Sequence, residues 1–252
     1  MIHIDKITNW IKDYFVKNGP ECKAVIGISG GKDSTVTAAL LVKALGPDRV
    51  IAVKMPQGVQ KDIAVANEVI EYLGITEVYE INVGPACEVT LLSLPPEMQD
   101  LPQVYTNIAP RERMKVLYAI AAARHGRVVN TCNRSEDYVG YSTKFGDMAG
   151  DFSVLSNYTV REVLEIGQAL KLPEHFINKV PEDGLSGMTD EDNLGFSYVT
   201  LDNLLLHGIY PDYDTYQKIQ SRHVRNRHKT RPMPACPVYD SRDEMYRHFA
   251  EF

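Results

Sequence analysis

The sequence predicts an α/β protein organised around a parallel, doubly wound sheet. Through residue 155, runs of β-branched residues of strand length alternate with segments of helical periodicity, and the first run, Lys23 to Ile28, passes directly into a glycine-rich turn. Strands that alternate with helices form parallel sheets, in which ligands bind beyond the carboxyl ends of the strands. The pattern therefore predicts both the fold and the edge of the sheet that carries its site.

The individual elements follow from local patterns. Apolar residues at Ile7, Trp10, Ile11 and Tyr14 recur at helical spacing, which predicts a first helix that ends at 18–20 and places Trp10 in the core. The predicted strands are 23–28, 49–55, 77–83 and 127–130, and the helices between them are 34–45, 62–73 and 107–123.

Prolines punctuate the chain after the third strand. The stretch 84–102 is proline-rich and is predicted to be irregular, as a mobile or dimer-facing excursion. Asn107 is predicted to cap the helix that follows, with Pro110 in its first turn.

Beyond residue 155 the pattern becomes helical, with helices predicted at 159–170, 200–207, 213–225 and 242–249. No repeat and no clean linker divide the chain. We therefore expect a single domain, 1–252, with an α/β core at about 20–155 and a helical C-terminal extension at about 156–252.

Composition narrows the class of protein. Of the 252 residues, 44% are hydrophobic and 24% are charged, as is ordinary for a globular enzyme. The net charge of −6 argues against a nucleic-acid partner, and no apolar run approaches the ~20 residues that span a bilayer, so no membrane association is expected. The four cysteines form no CxxC pair, which argues against a zinc knuckle or a disulfide framework and predicts a cytoplasmic protein.

The turn after the first strand predicts an anion site. Its residues are Gly27, Ile28, Ser29, Gly30, Gly31, Lys32, Asp33 and Ser34. Adjacent glycines leave backbone N–H groups unobstructed, and the positive end of the next helix adds to their attraction for phosphate oxygens. Ser29 and Ser34 add hydroxyl donors, and Asp33 adds a carboxylate suited to Mg²⁺. A strand-to-helix turn that binds no ligand is the alternative.

A Walker P-loop, G-x-x-x-x-G-K-[ST], does not fit this turn. Alignment on Lys32 would need glycine at Ile26 and a hydroxyl residue at Asp33. The turn instead resembles the SGGxDS loop of the ATP-pyrophosphatase families. That resemblance implies an enzyme that holds the pyrophosphate of ATP and transfers AMP to its substrate.

A second carboxylate follows the fourth predicted strand. Thr131 and Glu136 lie just beyond this strand, so they are expected at the same sheet edge as the loop. Asp33 and Glu136 could then share a Mg²⁺ that bridges phosphate oxygens. Taken alone, Glu136 fits a helix-capping or solvated carboxylate better than a metal ligand.

Several blocks along the chain resemble the ammonia-dependent NAD synthetase family. They are 107–108, 111–114, 131–136, 140–147, Asp151, 190–191, 194–195, Tyr198, Asp202 and 228–229. With SGGKDS at 29–34, the resemblance runs from about residue 7 to 235, and the GYSTKFGD block at 140–147 is its most specific part.

The resemblance implies an adenine nucleotide alpha hydrolase-like fold and a two-step amidation of deamido-NAD. The nicotinate carboxylate attacks the α-phosphate of ATP, pyrophosphate leaves, and ammonia converts the acyl-adenylate to the amide with release of AMP. Free ammonia is the expected nitrogen donor, and supply by a separate glutaminase chain stays open. The resemblance also implies a homodimer.

The resemblance assigns site residues by position. ATP is bound by residues 27–34, Lys54, Gln60 and Thr131; Mg²⁺ by Asp33 and Glu136; and deamido-NAD by Arg111, Lys144, Asp151, His228 and Lys229. Asp147 is our candidate base for the proton that ammonium must lose, on the ground of its place in the 140–147 block. A solvated basic helix end is the alternative for each cation at 222–231.

Two positions depart from the family pattern. Val160 stands where the family usually has an ATP-contacting lysine, and Glu182 where it usually has a threonine; Arg161 and Lys179 are candidate substitutes. The stretch 182–192 resembles a loop that closes over the nucleotides.

Two other functions stay open at this point. One is another adenylating enzyme of the same fold, tRNA-modifying or GMP-synthesising, which Lys32 favours. The other is a nucleotide-binding sensor without turnover, which the two departures favour.

Overall fold

The structure is a computed structural model that describes residues 2–58, 63–178 and 189–236. Its strands are β1 (Lys23–Gly27), β2 (Val50–Lys54), β3 (Glu77–Glu80), β4 (Gly126–Asn130) and β5 (Phe152–Ser153). They form one sheet in the order β3-β2-β1-β4-β5, and every adjacent pair is parallel. The predicted parallel α/β sheet is confirmed, and the two-residue β5 is an addition.

The helices surround this sheet. They are α1 (Ile4–Asn18), α2 (Lys32–Leu45), α3 (Ile63–Tyr72), α4 (Gly84–Leu92), α5 (Pro96–Gln99), α6 (Pro102–Arg124), α7 (Arg134–Val139), α8 (Val160–Ala169), α9 (Glu174–Ile177), α10 (Asp190–Leu194), α11 (Tyr198–His207) and α12 (Tyr213–Thr230), with a 3₁₀ turn at Pro47–Arg49. None of the helices in the described ranges is both long and apolar enough to cross a membrane.

Successive side chains of the central strands point to opposite faces of the sheet and form an apolar layer on each face. Ala24 and Ile26 of β1 pack with α1, α2, α3 and α8 on one face of the sheet, whereas Val25 packs with Leu117 and Ala121 of α6 on the other. These strand residues are fully buried. Burial on both faces explains why the strands are continuous apolar runs.

The strand order determines where a ligand can bind. The chain passes outward from β1 to β2 and β3, and then returns to place β4 on the other side of β1. The crevice of a doubly wound sheet lies at such a reversal, beyond the carboxyl ends of the strands. Here it lies between the loops that follow β1 and β4.

The helical extension packs on this edge through its own apolar cluster. Val139 of α7 lies in one cluster with Leu194, Tyr198, Leu201 and Ile219, which come from α10, α11 and α12. Helices α10, α11 and α12 of the extension therefore rest on the helix that follows β4, whereas α8 and α9 pack into the main core with α2. The predicted helix at 242–249 lies outside the described residues.

Three local predictions are wrong. The stretch 84–102 is largely helical, because Pro85 and Pro96 open helices α4 and α5 instead of breaking them. Pro102 likewise opens α6, so Asn107 and Pro110 lie inside that helix, and Asn107 is not its cap. Trp10 is 47% exposed, because the buried face of α1 is formed by Ile7, Ile11 and Phe15, and Trp10 stacks on Tyr14 beside them.

Candidate active site

The loop after β1 is closed by its own hydrogen bonds. The hydroxyls of Ser29 and Ser34 lie 3.1 Å apart, the Ser34 hydroxyl donates to the carbonyl of Gly31, and the Gly31 N–H donates to the Ser29 hydroxyl. Gly30 has a φ of +80°, which favours glycine. The two serines therefore shape the loop. The buried Ile28 side chain leaves its backbone as the part that can face a ligand.

Two carboxylates from distant segments meet through Asn133. Its side-chain amide donates to Asp33 Oδ1 at 3.1 Å, and its side-chain oxygen accepts from the N–H of Glu136 at 3.0 Å. The backbone N–H of Asn133 donates in turn to Glu136 Oε2. Asn133 is completely buried, so these bonds fix Asp33 and Glu136 relative to each other.

The sequence contains only part of this signal. Asn133 followed three residues later by Glu136 is a capping box, and the structure forms it at the start of α7. The reading of Glu136 as a capping residue is thus confirmed. The bond from Asn133 to Asp33 spans 100 positions and has no local signature, and the site prediction missed Asn133 for that reason.

The carboxylates surround a buried ammonium group. Lys32 Nζ lies 2.8 Å from Asp33 Oδ2, with the carboxylates of Glu136 and Asp190 as further electrostatic partners. Burial lowers the pKa of Lys32, but these three negative charges outweigh it, so the pKa is raised overall. Burial, followed by repulsion from Asp33, raises the pKa of Glu136 well above its usual value.

The described ranges contain no group of three or more histidine, cysteine, aspartate or glutamate side chains that could hold a metal ion by themselves. Asp33 and Glu136 nevertheless offer oxygen ligands, and two neighbouring carboxylates that raise each other's cost of ionisation are stabilised by a cation. Mg²⁺ takes one or two protein carboxylates and completes its shell with phosphate oxygens and water. The pair fits that pattern.

A second, basic group of side chains lies at the junction of α6, α12 and the 140–147 loop. Arg111 Nε donates to the Lys144 carbonyl at 3.3 Å, Lys144 Nζ donates to the His228 carbonyl at 2.8 Å, and Lys229 Nζ donates to the carbonyls of Gly140 and Ser142. The structure thus brings together the side chains of Arg111, Lys144 and Lys229 and the backbone carbonyl of His228, four of the five positions predicted to contact deamido-NAD. They are held by backbone carbonyls, which leaves their charges uncompensated by acidic partners in these bonds.

Close packing on Gly140 positions this group. Gly140 has a φ of +64°, and a Cβ there would lie 2.2 Å from the Cβ of Asn226 on α12. The Asn226 amide donates to the Val139 carbonyl at 3.0 Å. Helix α12 therefore rests directly on the loop, and its last turn delivers Lys229 to it.

Asp147, the candidate base, lies in the same loop. Its Oδ1 accepts from the Thr143 N–H at 2.9 Å, and its backbone carbonyl accepts from the Asn130 side chain at 2.7 Å. Burial by the surrounding protein raises the pKa of Asp147, although the Thr143 hydrogen bonds and Lys229 act in the opposite direction. The residue keeps an exposed surface, so solvent reaches it.

Three predicted contacts are not part of these two groups. The Asp151 carboxylate accepts from the Val128 N–H at 2.7 Å and from the Tyr118 hydroxyl at 3.3 Å, beside a cavity of about 350 Å³. Lys54 Nζ is bound to Asn67 Oδ1 and Glu80 Oε2 at 2.5 and 2.6 Å. Thr131 follows β4 directly. Gln60, Lys179 and Glu182 lie outside the described residues.

Only one of the two departures from the family pattern, Val160, lies in the described residues, at the start of α8. Val160 packs against the apolar cluster that contains Tyr198, and the Arg161 side chain lies on the surface, 3.6 Å from Glu165. The backbone N–H of Arg161 donates to the buried carboxylate of Asp202. In this structure the Arg161 side chain is paired with Glu165, and its substitution for the family's ATP-contacting lysine stays a prediction.

Because Asn133 bridges two segments, removing its side chain should destabilise the protein more than removing a helix cap that makes no such bridge. Asn133→Ala removes a cap and also removes the hydrogen-bond donor to Asp33 Oδ1, whereas Asp212→Ala removes only the exposed cap of α12. We expect a loss of about 1 kcal/mol for Asp212→Ala and roughly 2–3 kcal/mol for Asn133→Ala. Urea denaturation measures both. Equal losses would show that the bond to Asp33 contributes nothing.

Comparison with known proteins agrees with this geometry. A family model described as NAD synthase matches residues 3–233. The NH(3)-dependent NAD(+) synthetase of Pyrococcus furiosus is 41% identical over 76% of this chain and 74% of its own length, and that of Methanosarcina mazei is 33% identical over 93% and 97%.

Solved structures show the same fold. The NMN synthetase of Francisella tularensis superposes with a TM-score of 0.84 at 36% identity, over 93% of this chain and 97% of its own. The NH3-dependent NAD synthetase of Campylobacter jejuni gives 0.74 at 27% identity, over 94% and 99%. The described fold is that of these synthetases, which is the adenine nucleotide alpha hydrolase-like fold. With a match that covers nearly its whole length, this chain belongs to the NAD synthase family.

Proposed function

We propose that this chain amidates deamido-NAD with ammonia in an ATP-dependent reaction that passes through an acyl-adenylate and releases AMP and pyrophosphate. The observation that carries the proposal is the junction at Asn133. It holds two carboxylates beside the SGGKDS loop in a chain of the NAD synthase family. Such a junction suits an enzyme that grips the outer phosphates of ATP and leaves the inner phosphorus open to attack.

The loop at residues 27–34 is the proposed site for the ATP phosphates. Because Ser29 and Ser34 bond each other, we assign phosphate binding chiefly to the backbone N–H groups at the start of α2, where the helix dipole also favours an anion. Lys54 and Thr131 border the loop at the ends of β2 and β4 and are proposed nucleotide contacts.

Asp33 and Glu136 are the proposed ligands of Mg²⁺. The bonds of Asn133 hold the two carboxylates in place, and the raised pKa of Glu136 reflects a site that favours a cation. When bound, Mg²⁺ supplies charge neutralisation and polarisation of the phosphate oxygens.

The basic group of Arg111, Lys144, His228 and Lys229 is the proposed site for the nicotinate nucleotide. A dinucleotide carries two phosphates and a carboxylate, which suit clustered cations. Asp151 lies just before β5, where it accepts a hydrogen bond from Tyr118 of α6, and is a proposed contact for a more distant part of the same substrate. Charge and position support these assignments.

Asp147 is the proposed acceptor of the proton from ammonium. Replacement by asparagine should lower the rate of amide formation at least about 100-fold, while ATP-dependent adenylate formation continues. Since a base must be ionised and burial raises its pKa, the wild-type rate should fall as the pH drops through that raised value. The exposed Asp214→Asn is the matched control, and an unchanged amidation rate in Asp147→Asn would exclude the role.

The same chemistry on a smaller substrate is a second candidate. The structural neighbour with a TM-score of 0.84 is named an NMN synthetase, and its identity of 36% lies within the range of the curated NAD synthetases. Amidation of nicotinic acid mononucleotide would use the same loop and carboxylates. The mononucleotide carries one phosphate where deamido-NAD carries two, so only one phosphate would contact the basic group.

A competition assay tests both candidates. Equal amounts of deamido-NAD and nicotinic acid mononucleotide are given to the protein with ATP, Mg²⁺ and ammonium, and AMP, pyrophosphate and both amides are measured. We expect the amide of deamido-NAD to predominate, with one AMP and one pyrophosphate for each amide. Predominance of the mononucleotide amide would assign the second function.

The assay also separates the earlier alternatives. A nucleotide-binding sensor would release no pyrophosphate, and a tRNA-modifying or GMP-synthesising enzyme would form neither amide. Release of ADP and orthophosphate would contradict every function that depends on adenylate transfer.

We propose that the chain is a homodimer whose contact includes α4, α5 and the start of α6. This surface exposes large apolar side chains, including Val89, Leu92 and Leu101. Leu92→Glu should lower the mass measured by light scattering toward that of one chain. Val16→Glu, at an exposed position of α1, is the control and should leave the mass unchanged. A wild-type mass of a single chain would contradict the proposal.

We further propose that the chain acts as one domain in the cytoplasm. The packing of α7 against α10, α11 and α12 joins the core to its extension. The free thiols of Cys22, Cys87 and Cys132 agree with a reducing compartment.

A further inference from the structure

Lys32 occupies an unfavourable position for a lysine. It is the first residue of α2, where the positive end of the helix dipole repels a cation, and it is only 6% exposed. A buried ammonium group in that place requires opposite charge nearby. The structure supplies it from three segments, through Asp33 of α2, Glu136 of α7 and Asp190 of α10.

Two of these three carboxylates are the proposed metal ligands. Asp33 is bound on one oxygen by Asn133 and on the other by Lys32, so the ammonium group lies at the metal site itself. A lysine retained among such groups is positioned to share the charge of a bound nucleotide. Its flexible stem allows the ammonium to turn from a carboxylate to a phosphate oxygen of similar charge.

No cation reaches this place from the start of α8 in the structure. Val160 contributes an apolar side chain to the cluster around Tyr198, and Arg161 points to Glu165 on the surface. Tyr198 in turn places its hydroxyl 3.5 Å from Asp190. Position 160 therefore belongs to the apolar cluster of Tyr198, whose hydroxyl reaches Asp190, while Lys32 contacts the carboxylates from the loop.

We infer that Lys32 supplies the positive charge that binds the outer phosphates of ATP in this chain, a role that position 160 cannot fill. The inference rests on the proposed ATP-dependent function. It adds that part of the affinity for the triphosphate is independent of divalent cations, because a covalently attached ammonium group remains when Mg²⁺ is removed. AMP lacks the outer phosphates, so its binding does not depend on Lys32.

Calorimetry with ATP and with AMP in EDTA tests this inference. Lys32→Gln should weaken ATP binding by about tenfold, the loss expected for one charge-assisted contact, and should leave AMP binding within about twofold. Lys32→Arg should retain most of the ATP affinity. Lys43→Gln, which removes the same charge from the last turn of α2, is the matched control and should change neither ligand.

A second variant separates charge from loop shape. Adding Val160→Lys to Lys32→Gln returns a cation to the α8 side, and we expect ATP affinity to recover by at least about threefold. Thermal unfolding confirms that each variant is folded. A folded double variant that binds ATP as weakly as Lys32→Gln would overturn the inference.

Other outcomes are equally decisive. Equal losses of ATP and AMP binding in Lys32→Gln would show a distorted loop and overturn the inference, as would no loss of either. If the wild type binds ATP in a Lys32-dependent manner but forms neither amide, the inference stands and the proposed function fails. Normal turnover with unchanged ATP binding in Lys32→Gln would remove only the inference.

Discussion

The bonds of one buried amide set the distance between Asp33 and Glu136. Asn133 reaches one carboxylate with its side-chain N–H and holds the other through a reciprocal cap, so the loop after β1 and the helix after β4 cannot move independently. Both elements are anchored by adjacent parallel strands. The sheet thus brings the two segments to the same edge, and the Asn133 side chain fixes the two carboxylates relative to each other.

Charge balance governs the rest of the site. On one side, acidic groups crowd together and are compensated by Lys32; on the other, Arg111, Lys144 and Lys229 are held by backbone carbonyls and keep their charge. A negatively charged molecule is therefore attracted to the basic group, whereas phosphate next to Asp33 and Glu136 needs a cation between them.

The fold could be predicted from the sequence largely because its signals are local. The strands are buried runs, and the turn at 29–34 has an unusual composition, so their types and order emerge from short windows. Prolines were misleading at 84–102, since a proline at the first position of a helix and a proline in a loop look alike without the neighbouring turns. The predicted burial of Trp10 is wrong because helical periodicity identifies the apolar face of a helix but not which residues lie at the border of that face.

Residue types and the family resemblance predicted which residues belong to the candidate site, but they did not predict which of those residues contact one another. Asp33, Glu136 and the basic residues could be named, whereas their grouping depends on tertiary packing. Asn133 and Asp190 lie in blocks that resemble the family, but nothing in the sequence assigned either of them a contact with Asp33 or Lys32. Asp151 is not part of the group formed by the other predicted substrate contacts, because its carboxylate is held by Val128 of β4 and by Tyr118, and only the tertiary structure reveals these bonds.

The span of 100 positions between Asp33 and Asn133 also has a consequence for biosynthesis. The glycine-rich loop leaves the ribosome long before its partner helix, and at about 5–20 residues per second this interval lasts roughly 5–20 seconds. During that time the buried lysine and its neighbouring aspartate have only each other and solvent. Asp33 therefore lacks the buried amide that fixes it against Glu136 until β4 joins the sheet and brings Asn133 to the loop.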